Sequence, residues 1–271
     1  MRDRLLQIAA TLLPGRPMDN AVLTGGQFHD VVLLPGTAAV RVARSRSSAA
    51  ELPRRTALLS RLAALDLPFR VPEPLGPVAT VDGLAAVALS WVGGAAHPKG
   101  SGDPVRLREL IDGLAAVDVA ALQDVLDVPH AYAGREHWEK LLLEEVLPRL
   151  PGHVRGEARR RIEAAAELPP VPPRLVHGDL AGDNVHWGPD GAVVGVLDWD
   201  LASPFDPAVD AACLAWHGWE AVAAAVDTET YRRARVWEAT FVIEGVGAAL
   251  LNDEPLDLPL AKAIRKLNAR M

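Results

Sequence analysis

Residues 177–184 of the chain read His-Gly-Asp-Leu-Ala-Gly-Asp-Asn, and residues 198–200 read Asp-Trp-Asp. The segments that flank the first stretch, 174–176 and 185–187, are short and mostly apolar or β-branched, which predicts strands. A Pro-Asp-Gly turn then leads into the apolar run 193–197, which ends directly before the Asp-Trp-Asp segment. A hairpin formed by the last two strands would return these aspartates beside the polar loop.

The polar side chains of this segment suit phosphoryl transfer. That reaction needs a carboxylate that orients the acceptor hydroxyl, and oxygen ligands that hold Mg²⁺ on the β- and γ-phosphates. Asp179 and Asn184 lie on one loop and can supply a hydroxyl partner and a metal ligand. Asp198 can supply a second ligand, and Mg²⁺ usually takes only one or two carboxylates beside the phosphates.

Each of these residues alone is typical of ordinary loops. Asp and Asn commonly form turns, and an isolated His-Gly-Asp tripeptide carries little information. The joint pattern of a strand, the HGDLxxxN loop, a hairpin and a strand ending in Asp-Trp-Asp is far more restrictive, because a motif gains weight when its expected context surrounds it. We therefore favour a catalytic interpretation of the segment.

The rest of the chain indicates an α+β fold. Apolar or β-branched runs predict strands in the first third of the chain, at 21–24, 31–34 and 38–43 and on either side of Asp82-Gly83. The spacing then predicts helices, which include one capped by Ser47 or Ser48 and others at Arg135–Leu150, Val154–Leu168 and Thr228–Leu251. Strands followed by helices are typical of an α+β arrangement.

The polar segment resembles the catalytic loop and metal-binding aspartate of the aminoglycoside phosphotransferase family, within the protein-kinase-like superfold. Leu197–Asp200 and the later Asp206–Asp210 both fit that family's pattern, and the resemblance covers most of the chain. It implies a two-lobed protein-kinase-like fold. A small β-rich amino-terminal lobe is expected at residues 1–91, and a larger helical lobe that carries the catalytic loop and the acceptor site at 92–271.

The resemblance also implies roles for individual residues. Asp179 is expected to act as the catalytic base or to orient the acceptor hydroxyl, and Asn184 and Asp198 are expected to bind Mg²⁺. His177 is interpreted as a structural hydrogen-bond partner. Asp210, at the start of a predicted helix, is interpreted as a structural residue that accepts backbone hydrogen bonds from the catalytic loop. ATP or GTP is the expected phosphoryl donor, bound in a cleft near Ser90 and Val92. The acceptor is then a hydroxyl of a small molecule, and the protein an antibiotic kinase.

The phosphate site departs from the family's pattern. Family kinases carry a lysine on the third strand that pairs with a glutamate of the next helix, whereas this chain has Arg41 and Arg44 in that region and Arg55 at the glutamate position. Arginine can bind phosphate oxygens. Arg41 and Arg44 point to opposite faces of a strand, so we expect only one of them in the cleft. Glu51 either orients that arginine or pairs with Arg55. Gly26 lets the backbone approach the phosphates or forms a turn.

Three amino-terminal segments carry a closer resemblance. Gly26–Val32, Ala43–Arg46 and Leu65–Arg70 are similar to the members of the family that phosphorylate tuberactinomycin peptides of the viomycin and capreomycin type. That likeness implies a cationic cyclic-peptide antibiotic as the acceptor. Alternative acceptors are an aminoglycoside, a macrolide or a small metabolic alcohol. Because the lysine–glutamate pair is missing, a nucleotide-binding pseudokinase is the alternative from another class, but a pseudokinase has no need for all three of the oxygen-bearing site residues.

A cationic acceptor requires carboxylates and flat aromatic surfaces. Asp200 lies two residues after the expected metal ligand and is one candidate for acceptor binding. Glu136 and Trp138 lie on a predicted helix, where the indole ring could stack on a guanidine or a peptide ring. An acidic helix face is also common as a merely solvated surface.

Composition limits the remaining classes. The 271 residues include 28 Lys and Arg against 35 Asp and Glu, which gives a net charge of −7, and 49% of the residues are hydrophobic. Such an acidic chain favours a cationic small-molecule partner over nucleic acid. The single cysteine excludes an intramolecular disulfide. The amino-terminal segment has helical spacing rather than a signal-peptide pattern, and no apolar run reaches the roughly 20 residues of a membrane span. We expect a cytoplasmic monomer with no membrane partner.

Overall fold

The computed structural model describes residues 1–26 and 28–269, so Gln27 of the Gly-Gln-Phe-His stretch lies outside the described residues. Packing divides the chain into two compact units. The first comprises Met1–Pro98, Ala120–Leu126 and Gly182–Asp200, and the second comprises the described residues of Lys99–Val119, Asp127–Ala181 and the segment from Leu201 onward. The expected lobes at 1–91 and 92–271 stay a prediction.

The strands of the described residues are β1 (Val22–Gly25), β2 (His29–Leu34), β3 (Ala38–Ala43), β4 (Ala79–Val81), β5 (Leu84–Ser90), β6 (Ala95–Ala96), β7 (Arg174–Val176), β8 (Val185–Trp187), β9 (Val193–Val196) and β10 (Ser203–Phe205). The α-helices are α1 (Arg2–Leu12), α2 (Arg46–Ala63), α3 (Pro104–Ala115), α4 (Trp138–Lys140), α5 (Gly152–Ala166), α6 (Ala208–Cys213), α7 (Trp219–Ala225), α8 (Thr228–Leu251) and α9 (Asp257–Asn268). Short 3₁₀ segments connect several of them.

The first unit contains an antiparallel sheet with the order β1-β2-β3-β5-β4. Its central strand, β3, is the strand predicted at 38–43. Ala38, Val40 and Val42 are buried, and Arg41 lies between them on the other face. The register pairs Arg41 with Val31 of β2 and with Val87 of β5. This register fixes the position of Arg41 on the sheet.

Two helices complete the packing of the first unit. Helix α1 buries Leu5 and Ile8 in the core that Val32 and Val40 of the sheet form, as its amphipathic spacing predicts. Helix α2 begins two or three residues earlier than expected, because its N-cap is Ser45 and not Ser47 or Ser48. The side chain of Ser45 accepts a hydrogen bond from the backbone of Ser48, which closes a capping box.

A small sheet, β6-β8-β9, also belongs to the first unit. Strands β8 and β9 form the predicted hairpin, with a register irregularity between His186 and Trp187. Directly after β9, the backbone N–H of Leu197 donates to the carbonyl oxygen of Asn184 at 2.8 Å. The hairpin therefore holds the backbone just before Asp198 against the end of the polar loop, as the sequence predicted.

The second unit is mainly helical, with β7 and β10 paired antiparallel. Its core joins α5, α8 and α9 through residues such as Ile162, Ile243 and Leu267, all fully buried. The predicted helices at Val154–Leu168 and Thr228–Leu251 are confirmed to within two residues. Among the described residues, no helix is both long and apolar enough to cross a membrane.

The single helix predicted at Arg135–Leu150 is wrong. The structure has a 3₁₀ turn at Arg135–His137, the short α4, a π-helical segment at Leu141–Val146 and a second 3₁₀ turn at Leu147–Arg149. Pro148 cannot donate a backbone hydrogen bond, so a regular α-helix cannot continue through this position. The apolar spacing still predicts the buried face, because Leu142, Val146 and Leu150 are buried.

Candidate active site

The catalytic loop in the second unit is anchored by a buried carboxylate. Asp210 accepts hydrogen bonds from the backbone N–H groups of His177 and Gly178 at 2.8 and 2.9 Å. The side chain of His177 is also buried, and its Nδ1 accepts a hydrogen bond from the backbone N–H of Asp179 at 3.1 Å. These contacts hold the loop backbone on both sides of Gly178, which has a φ of +84°. They match the structural roles expected for His177 and Asp210.

Asp179 itself is exposed. Its carbonyl oxygen accepts a hydrogen bond from the backbone of Ala181 at 2.9 Å, which forms a tight turn after it. The loop therefore has a fixed backbone and presents the Asp179 carboxylate at a surface. This arrangement is compatible with a carboxylate that meets a hydroxyl group of a bound molecule.

The two expected metal ligands lie in the first unit. Asn184 ends a 3₁₀ turn at Gly182–Asn184, and Asp198 follows β9 with a φ of +58°, a conformation that is rare outside glycine. Backbone conformations of this kind cluster at functional sites because they fix a side-chain direction. The side chain of Asp198 is 50% exposed, so it is accessible to a ligand.

The oxygen chemistry of this pair fits Mg²⁺. An amide oxygen and a carboxylate are hard ligands, and Mg²⁺ completes its shell with phosphate oxygens and water. Within the described residues, no group of three or more His, Cys, Asp or Glu side chains could hold a metal ion on its own. The pair Asn184 and Asp198 leaves coordination positions for the phosphates of a bound nucleotide.

Arg41 lies at the centre of a charged cluster in the first unit. Its Nη1 and Nη2 atoms donate to Oδ1 and Oδ2 of Asp200 at 2.9 and 2.8 Å, a two-point contact. Nη2 also donates to Oδ1 of Asp198 at 3.0 Å and lies 3.1 Å from Nδ1 of His29. Arg55 donates to Oδ2 of Asp200 at 2.9 Å and lies over the ring of Phe28. Two guanidinium groups therefore share one carboxylate.

The cluster shifts the pKa values of its members. Burial alone would raise the pKa of Asp200, but Arg41 and Arg55 outweigh this effect, and the net pKa is below its ordinary value. For His29, burial together with the positive charge of Arg41 lowers the pKa to about 4, although Asp200 opposes the shift. His29 is thus neutral at pH 7, and Asp200 is ionised.

Both expected roles of Glu51 are wrong. Glu51 pairs with Arg54, with contacts of 2.9 and 2.6 Å, so it contacts neither the strand arginine nor Arg55. The carboxylate that orients Arg41 is Asp200, which was expected to bind the acceptor. Both of its oxygens already accept hydrogen bonds from arginines, and the residue is 5% exposed, which disfavours contact with an acceptor. The sequence carries one signal for this arrangement. Arg55 stands where the family has a glutamate, and a cation at that position indicates an acidic partner.

Gly26 and Arg44 lie together at the edge of the same sheet. The Nη1 atom of Arg44 donates to the carbonyl oxygen of Gly26 at 2.6 Å, and its Nε donates to Asp30 at 2.9 Å. Gly26 has no atom within 4 Å of the position a Cβ would take. Arg41 on β3 and Arg44 directly after it therefore have separate partners.

Ser90 and Val92 follow the central part of the sheet. Ser90 closes β5, and its Oγ accepts a hydrogen bond from the backbone of Glu73 at 2.9 Å. Val92 is buried and packs on Gly195 of β9, where a Cβ would lie 2.0 Å from Cγ1 of Val92. The segment is thus fixed by contacts on both sides of Trp91.

Glu136 and Trp138 lie in the second unit and line a cavity of about 640 Å³. Trp138 stacks on His130, with ring centroids 4.5 Å apart, and Glu136 is exposed. Glu139 and Asp206 add two further carboxylates to the lining, and Arg135 and Arg233 add two positive charges. Residues 168–171 and Pro173 contribute a proline-rich wall. The size falls within the range of small-molecule pockets.

A second, smaller cavity of about 30 Å³ adjoins Gly178 of the catalytic loop. Glu244 lies at its wall, fully buried, and accepts hydrogen bonds from the hydroxyl groups of Tyr132 and Thr240. Burial alone would raise the pKa of Glu244, but contacts that include His130 lower it overall. An ionised carboxylate therefore lies within the aromatic interior of the second unit.

Comparison with known proteins extends these observations. The sequence profile of the phosphotransferase enzyme family matches residues 21–241. Viomycin phosphotransferase from Streptomyces vinaceus is 33% identical over 223 residues, which is 76% of this chain and 76% of that protein.

Solved structures share the fold at lower sequence identity. An aminoglycoside 2″-phosphotransferase in complex with GDP and kanamycin has a TM-score of 0.79 at 20% identity and covers 98% of this chain and 97% of its own. The macrolide 2′-phosphotransferase from Brachybacterium faecium has a TM-score of 0.72 at 21% identity, covering 98% of both chains.

The predicted α+β, kinase-like fold is thereby confirmed, and so is the predicted phosphotransferase activity. The match spans both the arginine cluster and the catalytic loop. This chain belongs to the phosphotransferase enzyme family.

Proposed function

We propose that the protein is an antibiotic kinase that transfers the γ-phosphoryl group of ATP or GTP to a hydroxyl group of a tuberactinomycin peptide. The observation that carries this proposal is the similarity to viomycin phosphotransferase over three quarters of both chains. The intact set of Asp179, Asn184 and Asp198 supports a catalytic rather than a pseudokinase role.

Asp179 is assigned to the acceptor hydroxyl. Phosphoryl transfer passes through a loose transition state, so catalysis depends mainly on positioning and on charge stabilisation. The backbone contacts of His177 and Asp210 hold the loop, and the exposed Asp179 carboxylate accepts the hydroxyl proton or orients it. The side chain of Asp210 acts only through the loop backbone and is a positioning residue.

Asn184 and Asp198 would hold Mg²⁺. The ion would neutralise charge on the β- and γ-phosphates. Arg41 would contribute positive charge toward the phosphates in place of the family's lysine. Asp200 holds Arg41, and Arg55 in turn holds Asp200. Gly26, Arg44, Ser90 and Val92 remain the proposed nucleotide contacts.

The acceptor is proposed to use the cavity that Glu136 and Trp138 line. Its three carboxylates outnumber its two arginines, which favours a cationic molecule, and its volume of about 640 Å³ suits a compact peptide ring. An indole face attracts guanidinium and ammonium groups. Aminoglycosides are also cationic, so the comparison of acceptors must be made by experiment.

The decisive experiment incubates the purified protein with Mg²⁺ and ATP or GTP, and with viomycin, capreomycin, kanamycin or a macrolide. Mass spectrometry should show a gain of about 80 Da on the tuberactinomycin peptides, the difference between a phosphoryl group and a proton. Gain on kanamycin or the macrolide alone would overturn the proposed acceptor but leave the kinase assignment. No gain on any of the four would contradict the antibiotic-kinase proposal.

The role of Asp179 is tested with Asp179→Asn. We expect turnover to fall at least about 100-fold, because removal of a group that handles the proton in the transition state costs this much or more. Asp190→Asn, an exposed change in the β8–β9 turn, is the control and should keep its rate. If the two variants had equal rates, Asp179 would have no role in catalysis.

A further inference from the structure

A cavity of about 300 Å³ lies between α5 and α8 in the second unit. Three arginines line it, namely Arg160, Arg161 and Arg235, together with a single acidic residue, Glu157. Small side chains, Ala164 and Ala239, form part of its wall and leave the space open. The lining therefore carries two more positive than negative charges.

Both carboxylate oxygens of Glu157 accept hydrogen bonds from two of these arginines. Its Oε1 accepts from Nε of Arg161 at 2.6 Å, and its Oε2 accepts from Nε and Nη2 of Arg160 at 3.0 and 2.6 Å. Burial would raise the pKa of Glu157, but these hydrogen bonds lower it overall. The carboxylate thus fixes the directions of two guanidinium groups without neutralising both.

Arg161 retains hydrogen-bonding capacity after this contact. Its side chain is only 4% exposed, yet Nη2 has no hydrogen-bond partner within the described part of the chain. Buried donors without partners are rare in folded proteins, because each one loses its hydrogen bonds to water. A buried guanidinium that lines a cavity and lacks one partner indicates a missing acceptor.

Arg235 brings the third guanidinium from α8. It lies over the ring of Trp219, 4.4 Å from the centroid, and this contact holds the side chain at the cavity. Three other arginines of the same helices have carboxylates of their own, namely Arg159, Arg232 and Arg233, whereas Arg155 donates to backbone carbonyl oxygens. The three arginines at the cavity share a single carboxylate, that of Glu157.

We propose that this cavity binds a tetrahedral oxyanion of the phosphate class, either free phosphate or the phosphoryl group of a small phosphate monoester. Guanidinium groups donate paired hydrogen bonds to phosphate oxygens, and a phosphate dianion matches the excess charge of the lining. Nη2 of Arg161 would gain the acceptor that it lacks. The proposal stands on the α5–α8 cavity alone and is independent of the proposed kinase activity.

The test is isothermal titration calorimetry of the full chain with inorganic phosphate at constant ionic strength, and with chloride as the reference anion. We expect saturable binding of phosphate that Arg235→Gln weakens about tenfold, the loss expected for one charge-assisted contact. Arg161→Gln should weaken it at least as much. Arg159→Gln is the matched control, because Arg159 is exposed on α5 and outside the cavity.

Arg235→Gln keeps the test decisive even if Arg161→Gln fails to fold, because Arg235 is exposed. Phosphate bound at the nucleotide site would be unaffected by either cavity variant. The proposal is overturned if phosphate produces no saturable signal, or if Arg235→Gln binds phosphate as the wild type does. A parallel titration with glycerol 3-phosphate identifies the source: tighter binding than phosphate supports a phosphate monoester, and weaker binding supports free phosphate.

Discussion

Arg55 and Asp200 form a buried ion pair of 2.9 Å, although 145 residues separate them in the sequence. The same carboxylate holds both nitrogens of Arg41. In the pattern typical of the family, a strand cation pairs with a helix carboxylate. In this chain the helix supplies a cation instead, and the carboxylate comes from the segment after β9.

Asp200→Asn should strongly destabilise the protein. The substitution removes the charge that the guanidinium groups of Arg41 and the buried Arg55 share. Breaking a buried pair by removing one partner typically costs about 3–5 kcal/mol. Urea unfolding measures this change in the free energy of unfolding. Asp124→Asn removes the partner of Arg61 in an exposed pair and is the control, because exposed pairs add little. If both variants were equally stable, the cluster would have no structural role.

His29 should make the stability of the protein depend on pH between about 4 and 6.5. Burial and Arg41 lower the folded-state pKa to about 4 from the ordinary 6.5. The unfolded chain therefore takes up the proton first, and stability that is present above pH 6.5 is lost as the pH falls. Compared with His29→Gln, the wild type should lose about 2 kcal/mol more of its unfolding free energy between pH 7 and pH 5.

Unfolding curves of the two proteins at the two pH values measure this difference. His137→Gln is the control, since His137 is exposed and its removal should leave the pH dependence unchanged. A wild type and a His29→Gln variant with parallel pH profiles would show that His29 remains accessible to protons in the folded state.

The central strand and the loop anchor were predictable because both follow local rules. Alternation of Ala38, Val40 and Val42 defines the buried face of β3. The position of Asp210 at the start of α6, after Asp206-Pro207, was sufficient to predict that it accepts backbone hydrogen bonds. The burial of Leu142 and Val146 also followed from apolar spacing.

The arginine cluster was not predictable from spacing. Glu51 is four residues from Arg55, and an i,i+4 pair is the local expectation. The actual partner, Asp200, comes from a distant segment, and only the packing of the first unit brings it to Arg55. The π-helical segment at Leu141–Val146 was likewise not predictable, since periodicity alone does not distinguish it from an α-helix.

Asp210 should have the opposite pH dependence. Burial raises its folded-state pKa to about 7, although the N–H groups of His177 and Gly178 oppose the shift. The folded protein holds the proton more tightly than the unfolded chain, so stability falls as the pH rises from about 4 to about 7. The stability advantage of the wild type over Asp210→Asn should be about 2–3 kcal/mol larger at pH 5 than at pH 7.5.

The comparison with Asp210→Asn isolates this effect, because His29 titrates in both proteins and cancels in the difference. Chemical unfolding at the two pH values is the measurement. An advantage that is independent of pH would mean that Asp210 keeps an ordinary carboxyl pKa despite its burial.

Gly195→Ala should affect both stability and the proposed nucleotide segment. The new Cβ would lie 2.0 Å from Cγ1 of Val92, in the core of the first unit, so one of the two must move. Overpacking of this kind costs about 1–3 kcal/mol. Because Val92 belongs to the segment proposed to contact the nucleotide, its displacement should also raise the KM for the nucleotide more than it lowers kcat.

Gly156→Ala provides the matched control for this change. Gly156 is exposed within α5 and has no atom within 4 Å of the new Cβ, so the same substitution should stabilise the helix by about 0.5–1 kcal/mol. Unfolding curves and nucleotide KM values of both variants are compared with the wild type. If Gly195→Ala were destabilised but its KM for the nucleotide were unchanged, Val92 would have a packing role only and no role in nucleotide binding.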